Sequence, residues 1–270
     1  MAIGHRDEGY DCLKAGDNEQ ALAHATKVIQ LHRNAADGYG LRAHVCRFNE
    51  QTDQGIADAT ECIRLVSRQR IWMLADAFCT RAELLLTKND WGRAAADATE
   101  AIRLTGNFAY FAGCRAWAYR TRGNARLGQE DFSAAASDFS EAFSQNPRDT
   151  YSFRQRAYCH LRRGDLDQAI HDCTEAIRLD PQDAAWCCAA RAAAYLEKGE
   201  HDEAISSYND AIRRDRDFAL AYANRGEAHR RKGDHAAAAS DFIHALQLNP
   251  ADTDTLGHMA LMKGDLSETV

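Results

Sequence analysis

The sequence predicts an all-α solenoid of antiparallel helix pairs, and three observations carry that expectation. Pro147, Pro181 and Pro250 stand 34 and 69 residues apart, and each closes a similar phrase: SEAFSQNP, TEAIRLDP and IHALQLNP. The phrase returns without proline as TECIRLV, TEAIRLT and NDAIRRD, a fixed period of the kind that marks repeat architectures. Small residues keep the same period. Gly9, Ala43, Ala82, Gly123, Ala157, Ala192 and Gly226 form one column. Twelve residues on lie Ala21, Gly55, Ala94, Ala135, Ala169, Ala204 and Ala238, and seven further on Val28, Cys62, Ala101, Ala142, Ala176, Ala211 and Ala245. Small residues in every cell mark close approach of two helix backbones. Third, the apolar spacing inside each repeat is helical, broken once by a short polar turn.

The repeats run 2–35, 36–69, 75–108, 116–149, 150–184, 185–218 and 219–252, and the whole of 1–270 reads as one solenoid. Their internal turns are Ala15-Gly16-Asp17, Gly164-Asp165, Gly199-Glu200 and Gly233-Asp234, where Gly supplies a left-handed helix stop. The third and fourth repeats place Asn89-Asp90 and Glu130-Asp131 there instead. Residues 70–74 and 109–115 are extra, and both precede a first helix, which they should lengthen without turning its face. Ile71 and Leu74 would then meet Tyr110, Phe111 or Cys114; alternatively Trp72 and Phe111 stay exposed as a homodimer contact. Residues 253–263 set Leu256, Met259 and Ala260 where an eighth repeat would begin, which reads as a solvating cap helix. A polar tail, 264–270, follows.

Two further columns bear on packing. Four residues before the first small column stand Tyr39, Phe78, Tyr119, Phe153 and Tyr222, with His5 and Cys188 as exceptions. One residue before it stand Arg42, Arg81, Arg122, Arg156, Arg191 and Arg225. Sixteen residues after five of these arginines come Asp58, Asp97, Asp138, Asp172 and Asp241, while Arg191 faces Ser207. The first repeat swaps both members, to Glu8 and His24. Such pairing within one chain predicts ion pairs between paired helices or adjacent repeats; the other reading is a ladder of ligand-facing arginines.

Composition narrows the function. A net charge of -7 argues against a general binder of phosphate backbones. No apolar run approaches the roughly 18–20 residues of a membrane helix, and the first twenty residues lack the pattern of a secretory signal. Nine cysteines, an odd count without a CxxC pair, fit neither a disulfide framework nor a zinc site. They read as small apolar core residues, and so many free thiols point to a reducing, cytoplasmic compartment. Eleven histidines sit at differing register positions and form no metal set by spacing. With no nucleophile constellation, phosphate loop or HExxH, the chain reads as non-catalytic, without cofactor or metal.

The segment AYANRGEAHRRKGDHAAAASDFIHALQLNP (221–250) resembles the tetratricopeptide repeat, and seven registers extend that resemblance over 2–252. It implies a right-handed superhelix whose concave groove, lined mainly by first helices, holds an extended peptide or a partner's helix. Carried onto the middle repeats, the groove positions are Trp117, Arg120, Asn124, Tyr151, Arg154, Gln155, Tyr158 and Trp186, with Thr121 among them. Arg120, Asn124 and Gln155 match part of the carboxylate clamp of chaperone adaptors; Trp186 and Ala190 stand where its third repeat is basic. Four arginines and no acid lie between Gly106 and Gln129, and five arginines and one Asp from Arg148 to Arg163. Arginine mixed with aromatics is the composition of binding hot spots, so the expected ligand is a peptide with acidic and apolar groups across repeats four to six. The expected partner is a protein or peptide, with no nucleic acid and no membrane. The rival readings are a self-associating scaffold, dimeric through 70–74 and 109–115, and a regulatory segment of an enzyme whose catalytic part lies on another chain.

Overall fold

The computed structural model describes residues 2–182, 184–257 and 259. They fold into the all-α arrangement of sequential antiparallel helix pairs, and the chain divides into two compact units, 1–149 and 150–270. In the first unit α1 (Ala2–Lys14) packs on α2 (Asn18–Leu31), α3 (Ala36–Cys46) on α4 (Thr52–Leu65), α5 (Ile71–Thr87) on α6 (Trp91–Thr105), and α7 (Ala112–Gly128) on α8 (Phe132–Gln145). In the second, α9 (Thr150–Arg163) packs on α10 (Leu166–Leu179), α11 (Ala185–Glu197) on α12 (His201–Arg214), and α13 (Ala219–Lys232) on α14 (His235–Leu248). Each first helix also touches the next first helix of its own unit. Of the expected cap helix, residues 253–257 and 259 are helical; the remainder and the tail lie outside the described residues.

The small columns are where the backbones meet. No alanine in the three columns is more than 3% exposed. A Cβ added to Gly123 would come within 2.9 Å of the Phe139 ring, and one on Gly226 within 2.7 Å of the Phe242 ring. Both rings are fully buried. In the first pair Ala25 stands where such a ring would be, and Leu41 from α3 fills the space, its Cδ2 lying 2.5 Å from a Cβ built on Gly9.

The turn between paired helices needs a left-handed residue every time. Gly16, Gly164, Gly199 and Gly233 take φ of 80°, 78°, 79° and 88°, and the equivalent Glu50, Asn89 and Glu130 take 55°, 57° and 60°. An acidic residue follows in most repeats; Asp17, Asp90, Asp131 and Asp234 accept the N–H of Gln20, Arg93, Ala134 and Ala237, capping the second helix.

The arginine column is a brace. Arg42, Arg81, Arg156 and Arg225 each fork Nε and Nη2 onto Asp58, Asp97, Asp172 and Asp241 at 2.6–2.8 Å, and Arg122 does so onto Asp138 at 3.0 and 2.7 Å. These five carboxylates are 1–8% exposed. The same guanidinium groups lie 5.3–5.9 Å from the rings of Tyr39, Phe78, Tyr119, Phe153 and Tyr222. The hydrogen bonds to Asp58 and Asp241 push the Arg42 and Arg225 guanidinium groups further up from their ordinary range. A third donor reaches back to the preceding pair: Nη1 of Arg81 donates to Thr60 Oγ1 at 3.0 Å and that of Arg122 to Thr99 Oγ1 at 3.3 Å. The ion pair therefore joins both paired helices and neighbouring pairs. Removing the arginine alone would strand a buried carboxylate, at a cost of about 3–5 kcal/mol. Arg191 instead donates to Ser207 at 3.2 Å and pairs with Asp210 at 3.4 Å.

The extra residues behave only partly as expected. Residues 71–74 do extend α5, but of the second insertion only 112–115 join α7, and Ala109–Phe111 form a separate 3-10 turn. Arg115, 8% exposed, fixes that turn by donating to the carbonyls of Gly106 and Phe108 and to Gln145. Leu74 packs toward Ala36, Cys62 and Val66, whereas Cys114 packs with Ala75, Cys79 and Ala101. The expected contact of Leu74 with Cys114 is not made: Leu74 buries against α3 and α4, and Cys114 against α5 and α6.

The positive φ at Glu130 has a Cβ strain that glycine lacks, of roughly 1–2 kcal/mol. Glu130→Gly is expected to raise unfolding free energy by about 1 kcal/mol, and Gly199→Ala to lower it by a similar amount. Urea unfolding followed by circular dichroism measures both; opposite signs would exclude turn strain as the cause.

Candidate functional site

The first helices α3, α5 and α7 share a face, and a groove of about 540 Å³ opens on it. Arg47, Phe48, Glu83, Leu84, Thr87 and Asn124 are among its walls. Phe48 stands 57% exposed at its edge. Glu83 organises the polar side: it accepts the indole N–H of Trp117, pairs with Arg47, and lies 3.8 Å from Arg120 Nη2. The Arg47 guanidinium covers the Trp117 ring at 4.9 Å, and the His44 ring lies 5.9 Å from it. His44 in turn meets Asp76 at 2.7 Å. Trp117 is therefore held in one orientation, half-buried, by a charged network.

In the second unit α9 carries Tyr151, Arg154, Gln155 and Tyr158. Arg154 lies 5.4 Å from the Tyr151 ring, Gln155 donates to the Tyr151 hydroxyl at 2.8 Å, and Arg162 donates to the Tyr158 hydroxyl at 2.8 Å. Tyr151 and Arg154 border a smaller cleft, about 180 Å³, with Asp180 and Cys187. Trp186 is half-buried on α11. Of the eight residues expected from the sequence, Trp117, Arg120 and Asn124 thus belong to the first unit and the other five to the second.

The first arginine-rich stretch is not a basic patch in space. Between Gly106 and Gln129, Arg115 is buried in its turn, and Arg122 and Arg126 both bind Asp138. Arg120 of the four lies next to a groove residue, 3.8 Å from Glu83. From Arg148 to Arg163, Arg156 binds Asp172 and Arg163 binds Asp165. Glu83 and Asp138, on neighbouring helices, oppose three of the four arginines of a first run that looks unopposed along the chain. Glu83 and His44, which the sequence reading passed over, stand in Asn124's own column, one residue after the small column.

Seven cysteines are buried, and Cys12 and Cys114 are half-buried. Burial pushes the thiols of Cys46, Cys62 and Cys159 up to about 11, 12 and 12, so little thiolate exists there at neutral pH. Spacing names no metal set, yet folding α1 onto α2 gathers His5, Glu8 and His24 with their ligating atoms within 4.8 Å of one another. Among the described residues no helix is long and apolar enough to cross a membrane, and no catalytic domain is evident.

Paired helices in sequence, with a groove on their first-helix face, define a helical-repeat protein. The chain is a tetratricopeptide repeat protein: models of that family match residues 120–184 and 219–252, and a further TPR repeat model matches 192–233. No curated protein matches the sequence. Among solved structures, the C-terminal part of a TPR repeat-containing protein from Cytophaga hutchinsonii superposes with TM-score 0.70 at 14% identity, over 93% of this chain and 98% of that one. YrrB, described as a TPR protein with an unusual peptide-binding site, gives TM-score 0.59 at 20% identity, over 73% of this chain and 95% of that one. The Cut9–Hcn1 hetero-tetramer of APC/C gives TM-score 0.66 at 12% identity, over 97% of this chain and 52% of that one.

Proposed function

We propose that this protein is a non-catalytic adaptor that takes an extended peptide, carrying acidic and apolar groups, on the face of its first helices. Tetratricopeptide repeat domains generally mediate protein or peptide binding, and YrrB, alike in fold, is described by its peptide-binding site. The observation that carries the reading is the groove beside Trp117. Its volume is within the range of sites that bury a small ligand or a few side chains. The half-buried Leu86 and the exposed Phe48 offer apolar contact, and Asn124 can pair with a peptide amide. Glu83 fixes Arg47 and Arg120 on one side, so a peptide carboxylate meets guanidinium groups that are already ordered. A guanidinium has five N–H donors, more than one carboxylate can accept. In the second unit Tyr151, Arg154, Gln155, Tyr158 and Trp186 give the same mixture of stiff aromatic surface and forked donors. Free buried thiols fit a cytoplasmic setting.

Fluorescence anisotropy against acidic, neutral and basic peptide pools tests this. The wild type is expected to select acidic, apolar peptides. Arg47→Ala with Arg120→Ala should weaken that binding by a hot-spot amount, about 2 kcal/mol or more, while the helical spectrum is kept. Selection of basic peptides, no selection, or unchanged binding by the folded variant contradicts the proposal.

A second reading, self-association, rests on one observation: Trp72, Phe108 and Tyr110 are 46%, 67% and 88% exposed. Exposed aromatics of this size mark interfaces when they gather in one patch. Light scattering should then give a dimer that Trp72→Ala with Tyr110→Ser returns to monomer; a monomeric wild type excludes it.

A further inference from the structure

We propose that His5, Glu8 and His24 form a zinc site that braces α1 to α2 where other repeats use arginine and aspartate. In five repeats three columns act together: an aromatic ring, an arginine over it, and an aspartate that the arginine forks onto. In the first repeat all three change at once. His5 stands for the ring, Glu8 for the arginine and His24 for the aspartate. The built-in cation is lost, and every replacement is a residue type that ligates metal. A divalent cation there occupies the guanidinium's place.

The geometry fits one coordination type. His5 Nδ1 and His24 Nδ1 lie 3.2 Å apart, and Glu8 Oε2 lies 3.4 Å from the first and 3.3 Å from the second. The three ligating atoms make a nearly equilateral triangle. Zinc bonds to nitrogen and oxygen are about 2.0–2.1 Å, which puts the edge of a tetrahedron at about 3.3 Å. The cis edge of an octahedral or square-planar site with such bonds is about 2.9 Å. All three separations match the tetrahedral edge. The side chains are 33%, 60% and 23% exposed, so metal can enter and water can take the fourth vertex. A cation at the centre of the triangle meets both nitrogens and the carboxylate at once. This is the one such group of three among the described residues.

The test uses the full chain with metal alone. Cobalt(II), a spectroscopic stand-in for zinc, should bind one per chain and show the visible bands of a tetrahedral site without the near-ultraviolet band of thiolate ligation. Zinc should displace it, raise the melting midpoint, and slow amide exchange in α1 and α2. His5→Ala and His24→Ala should each weaken binding by more than the roughly 10–100-fold that loss of a mere supporting group costs. The triple variant His5→Tyr, Glu8→Arg, His24→Asp writes the ordinary brace into the first repeat; it should fold and respond to no metal. It decides the matter if the alanine variants do not fold. No stoichiometric binding, a thiolate band, or undiminished binding by the triple variant overturns the proposal.

Discussion

One guanidinium group holding three helices is the interaction on which the rest of this fold depends. Its fork closes a helix pair through a buried aspartate, its remaining donor reaches the pair before, and an aromatic ring covers it. That geometry requires the helices to be close, and the small columns make them so. A bulkier residue at Gly123 or Gly226 would run into a buried phenylalanine, and the separation that lets arginine span the gap would be lost. Side-chain size sets the spacing, and the ion pair fixes the register at that spacing. In a protein whose pairs touch chiefly their neighbours, such nearest-neighbour links set the stability of the whole.

The brace also accounts for the surface that is left for binding. Arg115, Arg122 and Arg126 of α7 are consumed in packing, so the charges left beside the groove on the first-helix face are those gathered around Glu83. Glu83 is central there, since it aligns two arginines and an indole that would otherwise be mobile. On the proposed reading a peptide meets order already present in the unbound protein, which lowers the entropy lost on association.

The period, the small columns and the arginine–aspartate spacing made the helix pairs and their ion pairs legible in the sequence, because each rests on a fixed offset within one repeat. What the sequence left hidden depends on contacts between elements. The run of arginine in 106–129 looked unopposed because its acids, Glu83 and Asp138, lie on other helices. Tyr110 and Leu74 were placed by helical phase alone, but the buried Arg115 turns the second insertion into a 3-10 turn before α7 begins. The triangle of His5, Glu8 and His24 crosses two helices, so its spacing resembles no known ligand motif. Its trace was present as three departures from column in one repeat. Glu83 was similarly readable, once the column of Asn124 is followed back to earlier repeats.

The most direct measurement is native-state hydrogen exchange on Arg81→Met, which keeps the length of the side chain and removes its donors. Arg81 binds Asp97 on α6 and Thr60 on α4. If the guanidinium is the link between pairs, amide protection should fall in α4 as well as in α5 and α6, and stay unchanged in 150–257. Protection lost in α5 and α6 alone, with α4 as in the wild type, would contradict the account.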